Sequence, residues 1–268
     1  MVYKNQVIRA VLFAGVSVGL IILMYVTSSS FYSVYRRGGI PKIVLFFFSL
    51  FILTFIYCSV CFMTLAVSVL LNTTKFIYKN PRTGMFTVPS FLFWAPYILS
   101  EYVVLFFNRC VLRSKLPVVS EITPSLYLGG LPEMPGFDDR ILSAMDSVVD
   151  VTCDMPQLEL HRSYLCVPVW DGVSPTAEQI KTAADWIHHE YKARHSIFVH
   201  CCYGVGRSAT IMVAALVKCG VCSSVAEAYR LVKSKRPFVE LGESHMTELA
   251  KWMEMERSEK DDVSSYYH

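Results

Sequence analysis

No charged residue occurs between Arg9 and Arg36, and none between Lys42 and Lys75. A helix crosses the roughly 30 Å hydrocarbon core of a bilayer with about 20 apolar residues, and uncharged runs of this length meet that requirement. Residues 1–116 are therefore expected to form a membrane region, with spans at about 10–26 (AVLFAGVSVGLIILMYV) and 43–71. Small residues from Thr27 to Ser30 leave a cleaved signal sequence as the alternative for the first run. Its length and the apolar segments that follow favour an uncleaved anchor. The second run is too long for a minimal helix and too short for two, which predicts one tilted or protruding helix. A candidate third segment, 86–107, is interrupted by Pro89, Pro96, Ser100 and Glu101.

Charge divides the chain near Pro117. Residues 1–116 hold 11 Lys/Arg and one acid, Glu101, whereas residues 117–268 hold 14 Lys/Arg and 21 Asp/Glu, so the overall +3 conceals halves of +10 and −7. The basic flanks suit anionic headgroups. The acidic half carries no nucleic-acid-binding module. If 86–107 does not cross, Lys4, Arg9, Lys75, Lys79, Arg82, Arg109, Arg113 and Lys115 share one side of the membrane against Arg36, Arg37 and Lys42. If it crosses, the bias nearly vanishes. The positive-inside rule thus favours two spans, a re-entrant or interfacial third segment and a cytosolic soluble half.

Nine cysteines do not form a disulfide or zinc framework by spacing. Cys58 and Cys61 lie within an apolar run, and Cys219 and Cys222 form a lone pair with no second pair at zinc-like spacing, so no metal is expected. A reducing compartment fits the soluble half.

That half alternates strands and helices. Short strands are expected at Ser125–Leu128, Asp146–Val151, Tyr164–Val169 and Ser196–His200, with a polar helix between the first two. Ser174-Pro175 offers an N-cap and a first-turn proline for a helix to about Ala193. Ser208–Lys218 is apolar nearly all round, as a central buried helix is. Ser224 and Glu227 have capping-box spacing for a helix ending before Pro237. A last amphipathic helix, Glu243–Arg257, precedes a polar tail, 258–268. The predicted class is α/β, a mixed sheet flanked by helices and preceded by transmembrane helices.

Chemistry concentrates in His200-Cys201-Cys202-Tyr203-Gly204-Val205-Gly206-Arg207-Ser208. A strand enters this stretch and a helix leaves it. Two glycines allow a tight cradle of inward-pointing amides, and the helix N-terminus adds partial positive charge. Arg207 contributes a planar fork able to hold two phosphate oxygens. Cys201, at the mouth of the loop, sits where these groups favour a thiolate, which can attack phosphorus to give a phosphocysteine.

The stretch matches HCx5R and so resembles the protein tyrosine phosphatase superfamily. The resemblance implies Cys201 as nucleophile, Arg207 as ligand of phosphate and transition state, the loop Cys202 to Gly206 as phosphate cradle, and Ser208 as an aid to thiolate departure. It implies His200 as a residue that orders the loop. In Val167-Pro168-Val169-Trp170-Asp171-Gly172 an aspartate follows a strand 30 residues before Cys201; the superfamily places its general acid there. A turn-forming Asp before Gly is the plain alternative, and Asp154 and Asp185 are the fallback acids. The length of 117–257, Ile122-Thr123-Pro124-Ser125-Leu126-Tyr127-Leu128-Gly129-Gly130, and Lys235-Arg236-Pro237 are similar to compact dual-specificity phosphatases. Gly242-Glu243-Ser244-His245 departs from the family's asparagine-containing stretch. Cys153, ending a strand, is a candidate resolving cysteine, with a buried structural thiol as the alternative.

These residues predict a membrane-anchored, cofactor-independent phosphatase acting on phosphotyrosine, phosphoserine and phosphothreonine proteins. A phospholipid or phosphoinositide phosphatase is the alternative, disfavoured for polyphosphorylated headgroups because residues 202–206 carry no charge. A non-catalytic phosphate-binding module is the third reading, weakened by intact Cys201 and Arg207.

Overall fold

The computed structural model describes residues 4–38, 41–74, 77, 79–112, 117–132, 139–157 and 163–265. Chain contacts divide it into two compact units. One comprises Met1–Phe76 and Pro89–Ser100, the other Ile77–Val88 and Glu101–His268. The described residues 77, 79–88 and 101–112 belong to the second of these units.

The first unit is helical. α1 (Lys4–Gly38) and α2 (Lys42–Leu70) run antiparallel. Gln6 Nε2 donates to the Val69 carbonyl at 2.7 Å, Ser17 Oγ to the Ser59 carbonyl at 2.9 Å, and Phe31 stacks on Phe48. α1 exceeds the expected 10–26 at both ends. α3 (Val88–Phe107) contains Pro96 and sets Tyr97 edge-on to Phe13. Thr27, Thr54 and Thr64 return their hydroxyls to carbonyls one turn back, which satisfies them within an apolar run. Val11, Leu12, Phe46, Phe47 and Leu53 face outward. By length and composition, three helices among the described residues are able to cross a membrane.

The second unit is built on five strands: β1 (Val119–Thr123), β2 (Leu126–Gly129), β3 (Ser147–Asp150), β4 (Ser163–Cys166) and β5 (Ile197–His200). Their order is β1-β2-β5-β3-β4, with β1 antiparallel to β2 and the remaining pairs parallel. β3 and β5 are buried at every position, the pattern of strands covered on both faces. Register sets Asp150 opposite His200 and Gly129 opposite His200 on the other side. Helices α4 (Asp139–Ser143), α5 (Ala177–Lys192), α6 (Arg207–Lys218), α7 (Val225–Lys235) and α8 (Glu243–Ser265) complete the unit. α6 packs against β2, β5, α5, α7 and α8. Its residues from Arg207 to Leu216 are all buried.

The mixed sheet with flanking helices is the expected class, but several local expectations shift. β1 is an additional strand. Of the polar helix expected before β3, α4 lies among the described residues, and 133–138 fall outside them. The N-cap of α5 is Thr176, not Ser174: its hydroxyl accepts from Gln179 N at 3.3 Å and Gln179 Oε1 accepts from Thr176 N at 3.0 Å, a full capping box. At α7, Ser224 caps Glu227 N as expected, but Glu227 reaches Ser223 N and Oγ instead of closing the box. α8 continues through Ser265, so most of the expected polar tail is helical; residues 266–268 lie outside the described ones.

Candidate active site

β5 delivers Cys201 to the carboxyl edge of the sheet, and α6 begins six residues later at Arg207. The loop between them turns at Gly204, whose φ of +68° suits glycine. A Cβ there would meet the Gly129 carbonyl at 2.5 Å, so the loop lies against the end of β2. The Leu131 amide donates to the Cys202 carbonyl at 3.2 Å, fixing the same approach.

Cys201 Sγ accepts the Gly204 N–H and the Ser208 hydroxyl, each at 3.2 Å. Two donors thus converge on one sulfur. Its neighbour Cys202 is fully buried, and burial, reinforced by Asp154, pushes its thiol well above the ordinary range. The two adjacent cysteines thus have different surroundings.

Arg207 is buried, and its fork is held from the sheet side. Nη1 donates to the Val169 carbonyl at 2.8 Å and to Asp154 Oδ1 at 3.1 Å; Nη2 donates to Asp171 Oδ1 at 2.9 Å. Burial opposes the cation, but the paired carboxylates of Asp154 and Asp171 offset that cost. Asp171, partly exposed just beyond Trp170, thus stands beside the guanidinium that the phosphate would engage. Asp154 is wholly buried and is a second carboxylate on Arg207 rather than a free acid. Asp185 lies in α5, paired with Lys181 and Lys218, away from these groups.

His200 is buried, its ring stacked on Phe198 at 5.3 Å and its register opposite Asp150. Cys153 is buried, three residues past the end of β3, and forms no disulfide. Burial and then Asp154 raise its thiol well above the usual range, with Arg207, Lys79 and Cys166 also acting on it.

Three residues outside the motif were not assigned roles from sequence. Arg236 is buried and braces the loop from behind: Nε donates to the Gly204 carbonyl at 2.7 Å, Nη2 to Tyr203 O at 3.2 Å, and Nη1 to Pro117 O and Ser120 Oγ. Its only sequence signal is the Lys235-Arg236-Pro237 resemblance. His245 packs over Gly206, its Nε2 3.2 Å from where a Cβ would stand; burial and then Arg207 bring its pKa down to about 4. Lys79, from the segment between α2 and α3, inserts beneath β3 and donates to Asp150 Oδ2 at 2.5 Å, Thr152 Oγ1 at 2.9 Å and Thr152 O at 3.1 Å. The turn letters Asn80-Pro81-Arg82-Thr83-Gly84 mark the hairpin that carries it.

This arrangement supports two-step phosphoryl transfer. In that reaction the cradle amides and Arg207 would orient the three non-bridging oxygens of a phosphomonoester for in-line attack by Cys201, with Asp171 as proton donor to the departing oxygen. Water would then cleave the phosphocysteine, with the Ser208 hydroxyl assisting departure of the sulfur.

The profile of the family described as "Dual specificity phosphatase, catalytic domain" matches residues 126–255. The chain is similar to mouse dual specificity protein phosphatase 14, with 31% identity over 134 residues, 49% of this chain and 67% of that protein. It is 30% identical to human dual specificity protein phosphatase 1 over 131 residues, 48% of this chain and 35% of the relative. The crystal structure of human DUSP28 is similar over 53% of this chain and 96% of that one, at 25% identity and a TM-score of 0.47. With Cys201, Arg207 and Ser208 in the matched region, the chain belongs to the dual-specificity protein phosphatase family.

Proposed function

We propose that the chain is a membrane-anchored phosphatase that hydrolyses phosphotyrosine, phosphothreonine and phosphoserine on proteins, with Cys201 as nucleophile, Asp171 as general acid and a cytosolic active site. The observation that carries the catalytic part is the pair of donors on Cys201 Sγ, in the loop closed by a buried Arg207 whose fork holds Asp171. The relatives are named as dual specificity protein phosphatases, which supports protein substrates. The uncharged loop 202–206 adds no second cation for a further phosphate, and the acidic soluble half opposes multiply charged headgroups.

The outward-facing apolar side chains of α1 and α2 support anchoring. The α3 helix is also long and apolar enough to cross; the interruptions at Pro96, Ser100 and Glu101 and the charge bias favour an interfacial position instead.

The membrane helices also keep a lipid monophosphate in view as the second substrate class. The deciding experiment is kcat/KM of the full-length protein in detergent, at two ionic strengths, on phosphopeptides, a lipid monophosphate and inositol polyphosphates. The protein reading expects phosphotyrosine peptides first, phosphothreonine peptides more slowly and inositol polyphosphates last. A lipid monophosphate turned over about a hundredfold better than every peptide, roughly 2.7 kcal/mol in the barrier, would replace it with the lipid reading.

A further inference from the structure

Lys79 lies 47 residues before the family match begins at residue 126, yet its ammonium is buried inside the phosphatase unit. The hairpin that brings it there is closely fitted. Asn80 N donates to Met85 O and Gly84 N to Asn80 O, both at 2.8 Å, and Gly84 O accepts from Gln157 N at 2.9 Å. Gly84 has a φ of +67°, and a Cβ there would stand 2.1 Å from Tyr164 Oη, so only glycine permits this seat. The Tyr164 hydroxyl in turn donates to Asp150 Oδ2 at 2.7 Å.

The contacts of Lys79 lead toward the reacting groups. Asp150 Oδ1 accepts from Thr152 N at 2.9 Å and from Thr152 Oγ1 at 2.7 Å. Lys79 Nζ holds the Thr152 carbonyl directly. The next residues are Cys153, whose amide donates to Val169 O, and Asp154, whose carboxylate holds Arg207. Val169 O accepts from Arg207 as well. The turn 150–154 is therefore fixed at one end by Lys79 and fixes the guanidinium at the other.

We propose that Lys79 is a positioning residue for catalysis, which acts through the Thr152–Asp154 turn to set the Arg207 fork against the phosphate. The segment between the second and third apolar helices is thereby a working part of the phosphatase and not a passive link. The proposal rests on the catalytic role of Arg207, and Arg207→Lys serves as the separate control for that role.

The test uses full-length protein in detergent and combines kcat/KM on an aryl phosphate with thermal melting. Lys79→Met is expected to lower kcat/KM by about 10- to 100-fold, the scale of a small misplacement of a reacting group. Because Lys79→Met leaves Asp150 as an unpaired buried charge, Lys79→Met/Asp150→Asn is measured beside it. Asn keeps the acceptor for Thr152 while removing the charge, so the double variant is expected to recover thermal stability without recovering kcat/KM. Asp154→Ala is then combined with Lys79→Met. If Lys79 acts through Asp154, the second substitution adds little to the loss from the first. Recovery of kcat/KM in step with stability, or losses that multiply in the Asp154→Ala background, would overturn the proposal. Loss of activity in Arg207→Lys alone tests the underlying mechanism and leaves these comparisons intact.

Discussion

Cys201 and Cys202 are adjacent in sequence, yet their surroundings separate them chemically. Cys202 is shut in, its thiol raised by burial, whereas the Cys201 sulfur receives two hydrogen bonds. Cys201→Ser is therefore expected to abolish turnover and to retain binding of a phosphate ester, since the amides and Arg207 remain. Calorimetry with a phosphopeptide and a turnover assay check both halves of that expectation. Asp171→Asn is expected to slow phosphocysteine formation by about 10²–10⁴-fold on esters with poor leaving groups. The loss shrinks for an aryl phosphate whose phenolate leaves unaided; equal losses on both substrates would make Asp171 a holder of Arg207 alone. His245 adds a pH dependence. Its folded pKa, brought down to about 4 from 6.5 by burial and then Arg207, means the unfolded chain binds the proton more tightly. Stability is lost as pH falls from about 6.5 toward about 4. His245→Phe should flatten that part of the stability curve, measured by urea unfolding across the window.

At the scale of elements, what could be read from the sequence depended on how close partners lie along the chain. The loop from Cys201 to Arg207 is contiguous, and the strand and helix around it were legible because β5 is a largely apolar run and α6 is apolar nearly all round. Asp171 was singled out by the position the resemblance implied, and in the structure it lies five residues past β4 with its carboxylate on Arg207. Asp154 was not assigned to Arg207, because the two meet across 53 residues only after β3 and β5 pair. Lys79 was further out of reach: its partner Asp150 lies 71 residues on, and charge counting placed it with the membrane flanks. Capping residues were off by two at α5 because Thr176-x-x-Gln179 forms a reciprocal box that outweighs a first-turn proline. The Lys79–Asp150 contact gives the second unit an acid-sensitive joint. Burial would raise the Asp150 pKa from 3.8, but Lys79, then His200 and the hydrogen bonds, bring it down to about 2. A depressed carboxylate stabilises the fold above its unfolded value and loses that contribution as pH falls from about 4 toward about 2. Lys79→Met is expected to cost about 3–5 kcal/mol at neutral pH. The difference from the native chain should shrink or invert through that acid window. A difference that stays constant with pH would show that the charge pair is not its source.

At the scale of the whole chain, the two contact units alternate along the sequence, and α3 belongs partly to each. That alternation supplies a topology test. In a Cys110→Ser background, Arg36→Cys, Arg82→Cys and Glu254→Cys place exposed thiols in the last turn of α1, between α2 and α3, and on α8. With a membrane-impermeant maleimide on sealed vesicles, Arg82→Cys and Glu254→Cys are expected to label alike and Arg36→Cys oppositely. Glu254→Cys labelling with Arg36→Cys would mean that α3 crosses. Extraction of the protein by alkaline carbonate, with all three thiols labelled alike, would remove the anchoring reading. The central claim, catalysis through a covalent phosphocysteine, is tested most directly by rapid acid quench of full-length protein during turnover of an aryl phosphate, followed by peptide mass mapping. The expected result is a phosphoryl group on Cys201, accumulating further in Ser208→Ala and absent in Cys201→Ser. Turnover that persists in Cys201→Ser, or a phosphoryl group found on any other residue, would contradict it.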